Sequence, residues 1–271
     1  MKQVKDLERL DKILSNNGFG TRKEVKHFIR SRVVTVNGEL VTDPDAHVNI
    51  NSDTIAINGI PVTVKSNIYL MMNKAAGYVC STRGGMHPIV YDLLKDEDHR
   101  KFLGGEIGTI GRLDLDTEGL LIFTSDGDLN HRLTAPKWRV PKVYQVYLRD
   151  SVTEESMKEY VERLAKGVHV AAEGKEEEAD CLPAELEWCR KEDYDFNGKN
   201  PEAVCNITVY EGKFHEVKRL FQALGNEVVY LKRLSINGLA LDPSLKCGEY
   251  RELTEEEIKI LDISEKNQTV E

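Results

Sequence analysis

The sequence predicts an α+β protein in which a small N-terminal domain precedes a larger one. Short apolar runs bounded by glycine, such as 120–123, indicate buried strands. Segments with apolar residues at helical spacing, such as 153–166, indicate amphipathic helices. Residues 1–42 hold nine Lys or Arg and five acidic residues, a net charge of +4, whereas the whole chain has −9. This asymmetry predicts a basic module attached to an acidic body.

Composition and cysteine usage indicate the cytoplasm. Hydrophobic residues make up 40% and charged residues 31% of the chain, as in globular proteins with a packed core. No apolar run reaches the roughly 18 residues of a membrane span, and the first residues lack the apolar segment of a signal peptide. The five cysteines form no Cys-x-x-Cys pair, so we expect reduced thiols, no membrane association and no metal site.

Residues 8–52 have the pattern of a small independent unit. Apolar residues at helical spacing begin at Leu10, and Thr21 is placed to cap a second helix over 22–32. Asn37-Gly38 then lies between two β-rich runs, which is a strong hairpin signal. A further strand-turn-strand pattern follows over 55–64. The segment 63–67 is therefore the predicted linker.

Three stretches of this unit, 9–14, 21–26 and 34–38, resemble the S4 (αL) RNA-binding domain. A row of basic side chains is by itself more typical of a solvated helix face. The resemblance instead implies contact with RNA, because cationic side chains neutralise phosphates. The implied contacts are Arg9, Lys12, Arg22, Lys23 and Lys26.

The centre of the chain is the loop between the apolar runs 109–110 and 120–123. It is rich in Asp, Thr and Gly and contains Arg112 and Asp114. A carboxylate beside a guanidinium is held ionised and can act as a nucleophile or base. A solvated turn is the ordinary alternative. A calcium loop is disfavoured because Ser125 stands where an EF-hand has its bidentate Glu.

Gly-Arg-Leu-Asp (111–114) followed by Asp-Thr-Glu-Gly-Leu-Leu (116–121) resembles the signature of RNA pseudouridine synthases. The branch concerned includes the enzyme of small-subunit (16S) rRNA and its 23S relatives. The resemblance implies a mixed, mainly antiparallel sheet flanked by helices, and chemistry without cofactor or metal. It further implies that Asp114 is the catalytic aspartate and that Arg112 is its ion-pair partner.

Other stretches extend the resemblance. Lys142-Val-Tyr144 is similar to a Lys-x-Tyr motif, which implies that Tyr144 lies against the target base; a half-buried strand tyrosine is the alternative. The stretch 211–221 resembles a third motif, which implies that Lys218 is the basic residue near Asp114, with Glu216 where Gln is usual. Lys74, in a variant Asn-Lys-Pro-x-Gly motif, is structural or phosphate-facing. The candidate RNA contacts of this domain are Lys74, His131, Arg132, Lys142, His215 and Arg219.

Two further segments receive structural predictions only. The acidic stretch 173–202 is interpreted as a solvated surface loop without chemistry, and 233–238 is expected to turn away after a strand ending at Leu231. The domain boundaries predicted are 1–62 for the S4-like domain, 63–67 for the linker, 68–263 for the catalytic domain and 264–271 for a frayed tail.

The function implied by the resemblance is conversion of a uridine of ribosomal RNA into pseudouridine. Val79-Cys-Ser and His87-Pro88 resemble the 16S branch. The same chemistry on 23S rRNA and a non-catalytic S4-type RNA-binding protein are alternatives. A metal-dependent phosphoryl-transfer enzyme using Asp114, Asp116, Asp126 and Asp128 is a third. The expected partner is rRNA or a ribosomal subunit precursor, and the expected state is a monomer.

Overall fold

The computed structural model describes residues 7–65, 67–95, 107–193 and 201–263. The predicted tail at 264–271 lies outside these residues. The contacts between Cα atoms divide the chain into two compact units. The first unit comprises 1–70, 91–108 and 123–127, and the second comprises 71–90, 109–122 and 128–271. No helix among the described residues is both long and apolar enough to cross a membrane.

The first unit contains two short helices, α1 (Leu10–Asn16) and α2 (Arg22–Arg30). Thr21 and Glu24 form a reciprocal capping box at the start of α2, as the cap prediction requires. The strands of this unit are β1 (Leu7–Arg9), β2 (Val34–Val36), β3 (Glu39–Leu40), β4 (His47–Asn49), β5 (Ile55–Ile57) and β6 (Ile60–Pro61). They form two small sheets: β1 pairs with β4, and the other four strands are ordered β3-β2-β5-β6.

The helices and strands of this unit share one apolar core. The helix stripe predicted from the sequence is fully buried at Leu10, Ile13 and Leu14. Val25 and Ile29 of α2 pack against it, with side chains contributed by β2, β4 and β5. Burial of each side chain of this size stabilises the folded state by about 1.5–3 kcal/mol. The basic residues at other helix positions are thereby left outside the core.

A nine-stranded sheet forms the framework of the larger domain within the described residues. Its main path is β13-β14-β10-β15-β9-β7-β17, with β8 on β9 and β16 on β15. These strands are β7 (Tyr69–Lys74), β8 (Gly108–Thr109), β9 (Glu118–Thr124), β10 (Lys142–Leu148), β13 (Glu185–Trp188), β14 (Ala203–Val209), β15 (Val228–Ile236), β16 (Leu239–Ala240) and β17 (Tyr250–Glu252). A separate pair joins β11 (His169–Val170) to β12 (Ala179–Asp180).

The remaining elements are helical. The α-helices are α3 (Gly127–Thr134), α4 (Glu154–Lys166), α5 (Glu216–Ala223) and α6 (Glu255–Leu261). Single 3-10 turns cover Val90–Leu93, Pro136–Trp138 and Lys191–Asp193. Strand β9 pairs parallel with β15, whereas β10 pairs antiparallel with both β14 and β15. The chain is therefore α+β with a mixed sheet, as predicted.

The expected turn at 233–238 is wrong, because β15 continues to Ile236 and the reversal occurs at Asn237-Gly238. The register of β15 against β10 shifts at this point: Val143 pairs with Ser235, but Tyr144 pairs with Arg233. Leu234 is thus an extra residue in β15, as in a β-bulge. Such a bulge re-aims the side chains beside it, and no local sequence pattern announces it here.

Candidate active site

Lys74 holds the backbone of the loop between β8 and β9. This side chain is fully buried, and its Nζ donates to the carbonyl oxygens of Asp114 at 3.0 Å and Thr117 at 2.8 Å. It also donates to those of Ala75 and Leu115. The candidate assignment of Lys74 as an RNA contact therefore needs correction, since every acceptor within reach belongs to the backbone that it holds.

Gly119 allows the end of this loop to lie against β15. Its φ is +101°, and a Cβ at this position would lie 2.3 Å from the carbonyl oxygen of Arg233. No L side chain fits that space, so only glycine permits the parallel contact of β9 with β15 here. The loop and the bulged strand are thereby held at a fixed distance.

Asp114 stands at the top of the loop beside two potential cations. Lys218 Nζ lies 3.3 Å from Asp114 Oδ2, and His215 Nε2 lies 3.8 Å from Oδ1. The Asp114 side chain is 26% exposed, so it is reachable from outside. The expected ion pair with Arg112 is not formed among the described residues; Arg112 is exposed, and Lys218 from α5 takes that place. The cation next to Asp114 comes from a distant motif, as the third-motif prediction anticipated.

Lys218 joins Asp114 to a second carboxylate that sequence reasoning did not assign to this site. Its Nζ lies 2.6 Å from Asp116 Oδ1. Burial lowers the pKa of Lys218, but the hydrogen bond to Asp116 and both carboxylates outweigh this and raise it. Burial likewise raises the pKa of Asp116, but Lys218 lowers it more. Both groups are therefore charged at neutral pH, which gives Asp114 a permanent cationic neighbour.

A cavity of about 580 Å³ opens over Asp114 and is large enough for one nucleotide base with its sugar. Tyr144 of β10, which is 9% exposed, forms part of its wall. Arg112, Lys142, His215 and Arg233 also line it. Burial raises the pKa of Tyr144, so its hydroxyl stays protonated at neutral pH.

His215 is held over the cavity by its backbone conformation and by two contacts. It adopts a left-handed conformation, with φ +46°, immediately before α5. Its Nδ1 lies 2.9 Å from Glu173 Oε1, and its ring stacks on Phe214 with centroids 3.7 Å apart. Non-glycine residues held in this conformation cost about 1–3 kcal/mol and cluster at functional sites. Glu173 orients the ring so that Nε2 faces Asp114.

A pair of carboxyl groups lies buried beside the same wall. Burial and the neighbouring Glu211 raise the pKa of Glu216 to about 7. Lys213 forms an ion pair with Glu211, and the Leu182 N–H donates to the same carboxylate. Glu211, Glu216 and Cys181 are the group of possible metal ligands that the described residues bring together, and the four aspartates considered above are not. Because Lys213 already neutralises the charge of Glu211, this group of residues does not fit a cation site.

Lys142 lines the cavity, and its side-chain pKa is strongly lowered. Burial, followed by the charge of Arg233, lowers the pKa of Lys142 to about 8. Its Nζ donates to the carbonyl oxygen of Val140 at 3.2 Å and to that of Glu211 at 3.4 Å. The side chain lines the cavity, which suits its prediction as an RNA contact.

The sequence model for RNA pseudouridylate synthases matches residues 68–223, which contain Asp114, Tyr144 and Lys218. A second model, that of the S4 domain, matches residues 8–55. The chain belongs to the RNA pseudouridylate synthase family. The S4-type N-terminal domain that was expected is confirmed by the same comparison.

Full-length relatives support this membership. The synthase is 41% identical to an uncharacterised RNA pseudouridine synthase of Bacillus subtilis (strain 168), over 93% of this chain and 98% of the relative. It is 37% identical to ribosomal small subunit pseudouridine synthase A of Escherichia coli (strain K12), over 92% and 98%. A crystal structure of a pseudouridylate synthase is 36% identical, covers 94% of this chain and 99% of its own, and superposes with a TM-score of 0.59.

Three other predicted RNA contacts of the synthase domain lie outside the cavity over Asp114. Arg219 is 4% exposed, and its guanidinium donates to the backbone carbonyls of Ala171, Glu177 and Phe214, so its assignment to RNA needs correction. It ties the segment that carries Glu173 to α5. Arg132 lies 3.6 Å from Asp262, and His131 is exposed on α3; neither lines the cavity described above.

The first unit of the synthase has its own charged cluster, built on Asp11. The Asp11 side chain is fully buried and receives a two-pronged hydrogen bond from Arg9, at 3.0 and 2.9 Å. Lys26 Nζ lies 3.6 Å and Arg22 Nε 3.9 Å from its Oδ2. Burial raises the pKa of Asp11, but these cations, Arg9 first, lower it below its usual range. The cluster holds three predicted RNA contacts together.

The other two predicted contacts of this unit are accessible. Lys12 lies 3.2 Å from Glu8, four residues earlier in β1, and Lys23 is exposed on α2.

Sequence reasoning missed several site residues for identifiable reasons. Asp116 stood in the central loop and was considered only as a metal ligand. Glu173 lies in the acidic stretch interpreted as free of chemistry, where nothing local distinguishes it from its neighbours. Arg233 was placed in a turn. The partners of all three are distant in the chain: Glu173 contacts His215, Asp116 contacts Lys218, and Arg233 pairs with Tyr144 across two strands.

Proposed function

We propose that this synthase converts a uridine of small-subunit ribosomal RNA into pseudouridine, with Asp114 as the catalytic carboxylate and without a cofactor or metal. The observation that carries this proposal is the accessible Asp114 carboxylate beside Lys218, in a cavity walled by Tyr144. The choice of RNA is supported by relatives from E. coli and Haemophilus influenzae. Both are named ribosomal small subunit pseudouridine synthase A and are 37% and 36% identical.

The reaction requires that the base leave the helix stack, since its reacting atoms are inaccessible there. In the proposed complex the extruded uracil packs against Tyr144 and the ribose C1′ faces Asp114. Asp114 either attacks C1′ or removes a sugar proton; both routes need the charged form. Lys218 holds the Asp114 carboxylate in place, and Asp116 in turn holds Lys218.

The basic residues have two proposed roles. Arg9, Lys12, Arg22, Lys23 and Lys26 bind phosphates through the S4 domain, and Lys142 and Arg112 bind near the cavity. The proposed domain limits are 1–62 and 68–263, joined by a linker at 63–67. We further propose that the protein acts as a monomer in the cytoplasm, on rRNA or a subunit precursor.

The test is release of tritium from small-subunit rRNA transcribed with C5-labelled uridine. Formation of the new C5–C1′ bond displaces the label, so wild type releases it. Asp114→Asn should release none above background while still binding RNA. Glu162→Gln, an exposed carboxylate of α4, is the matched control. Equal release by wild type and Asp114→Asn rejects the proposed aspartate.

Two further arms test the substrate and the metal alternative. Large-subunit rRNA in place of small-subunit rRNA should release no label. Free RNA and assembled precursor particles are compared to identify the form that is modified. Full activity in the presence of a chelator is expected; loss that divalent metal restores would favour the metal-dependent alternative.

A further inference from the structure

Arg233 is a buried cation that forms no ion pair among the described residues. The side chain is 1% exposed. Its Nε donates to the Leu120 carbonyl oxygen at 2.8 Å, but its Nη2 is buried without a hydrogen-bond partner. No described carboxylate oxygen lies within 4 Å of the guanidinium. Burying an unpaired charge is strongly unfavourable, so the geometry favours a ligand that supplies the missing acceptor.

The surroundings of this guanidinium add to the positive potential. Arg233 lines the cavity over Asp114 together with Lys142, whose ammonium it repels, and Arg112. The guanidinium therefore has access to the cavity and favours an oxygen that carries negative charge.

The bulge in β15 places Arg233 beside the proposed base platform. Regular pairing would set Leu234 opposite Tyr144, but the extra residue brings Arg233 there instead. The guanidinium is close enough to hydrogen-bond the Tyr144 side chain. A base lying against Tyr144 thus has its edge within reach of Arg233.

We infer that Arg233 is a further catalytic residue, whose guanidinium holds a carbonyl oxygen of the extruded uracil and stabilises the negative charge that the ring gains on leaving the ribose. This inference rests on the proposed function, because it takes Tyr144 as the surface for the base. Arg233 transfers no proton; its contribution is a fixed positive charge in a water-poor site.

The chemistry balances without any added reactant. The N1–C1′ bond breaks as Asp114 bonds to C1′ or removes a sugar proton, and the electron pair of that bond stays on the uracil, spread over N1, O2 and O4. The ring turns and C5 bonds to C1′ while Asp114 leaves C1′ or returns its proton to the sugar. C5 then loses its proton and N1 gains one. The product is an isomer of the substrate. Negative charge on the ring exists only between bond breaking and bond formation, so a donor at its oxygen accelerates the reaction more than it strengthens binding.

A backbone phosphate is the other oxygen that a guanidinium could hold. The difference in burial favours the ring: Arg233 is 1% exposed, whereas Arg112, in the same cavity, is exposed. A phosphate contact contributes to affinity and salt dependence, and a ring contact contributes to rate. The two therefore give different results in one experiment.

The experiment measures single-turnover tritium release and RNA affinity for Arg233→Met. The expected rate falls on the order of 10²- to 10³-fold, as for loss of one charge-stabilising donor. The expected Kd changes by less than about threefold, and the slope of log Kd against log salt is unchanged. A preserved rate with a weaker Kd and a slope reduced by about one overturns the inference in favour of a phosphate.

Arg251→Met is the matched control, because Arg251 forms ion pairs with Asp242 and Glu257 and does not line the cavity. It should lower Tm and leave the single-turnover rate intact. Arg233→Lys keeps a charge but not the planar donors, and its rate should fall about tenfold or more; it carries the test where the Met variant is unstable. A wild-type rate in either Arg233 variant overturns the inference. Asp114→Asn is assayed alongside: if it is inactive while Arg233→Met has the wild-type rate, only this inference fails.

Discussion

Two carboxylates of this protein are surrounded by cations, and they differ in which partner is accessible. Asp11 in the first unit is fully buried, and its cations Arg9, Arg22 and Lys26 are 38–43% exposed. Asp114 in the second unit is itself 26% exposed, and Lys218 is 23% exposed. A buried anion with exposed cations suits the phosphate binding proposed for the first unit. An accessible anion held by a partly buried cation forms a site that can react.

The two arrangements also differ in net charge. Asp11 neutralises only part of the charge around it, so the cluster as a whole is left positive. Asp114 and Asp116 share Lys218, so these two carboxylates and their lysine are together left negative. Identical residue types thus suit the proposed phosphate binding in one unit and the proposed catalysis in the other, according to which side chain the fold covers.

The strongest challenge to this comparison is Lys218→Met. It leaves two carboxylates facing each other without their cation, so Asp114 loses both its position and its charge stabilisation. We expect single-turnover tritium release to fall on the order of 10²- to 10³-fold, with RNA affinity changed only slightly. Lys218→Arg should retain much of the activity because it restores a cation. A wild-type rate for Lys218→Met would show that Asp114 does not depend on this partner.

Glu216 extends the comparison to a buried carboxyl group that lies beside another carboxylate. Its folded pKa, raised to about 7 by burial and Glu211, exceeds its ordinary value of 4.5. Lys213, Lys142 and Cys181 also lie around it. A raised pKa contributes stability that is complete below about pH 4.5 and is lost as the pH rises through about 7.

We therefore expect Glu216→Gln to be more stable than wild type at pH 8.5, by at most about 3 kcal/mol, with no gain at pH 5. Thermal unfolding at both pH values measures this. Glu162→Gln, on the exposed face of α4, should show no such pH-dependent gain. An equal effect of Glu216→Gln at both pH values contradicts the titration.

The smallest effect is expected from reversing the exposed cations around Asp11. Arg22→Glu with Lys26→Glu should weaken binding to rRNA by about tenfold at moderate salt and reduce the slope of log Kd against log salt by about two. Single-turnover release at saturating enzyme should stay near the wild-type value. Lys175→Glu, an exposed lysine outside the S4 domain, is the control for net charge. Unchanged affinity across the salt series rejects the phosphate-binding role.

Local patterns predicted most elements of the fold. The capping box at Thr21, the hairpin turn at Asn37-Gly38 and the helix start after Thr153 each follow from short-range geometry, and the structure has them all. The candidate site was predicted in part, since Asp114, Tyr144 and Lys218 stand in motifs. Glu173, Asp116 and Arg233 could not be assigned in this way, because their partners lie 42, 102 and 113 residues away in the chain.

The sequence by itself determined the fold class, the basic first unit and the central loop, because periodicity, caps and motifs act over a few residues. The tertiary structure decided which charged groups are covered. Burial turned Lys74 and Arg219 from candidate RNA contacts into backbone anchors, and gave Asp114 the cation Lys218 in place of Arg112. Desolvation and ion pairing depend on three-dimensional distance, which composition and spacing along the chain do not contain.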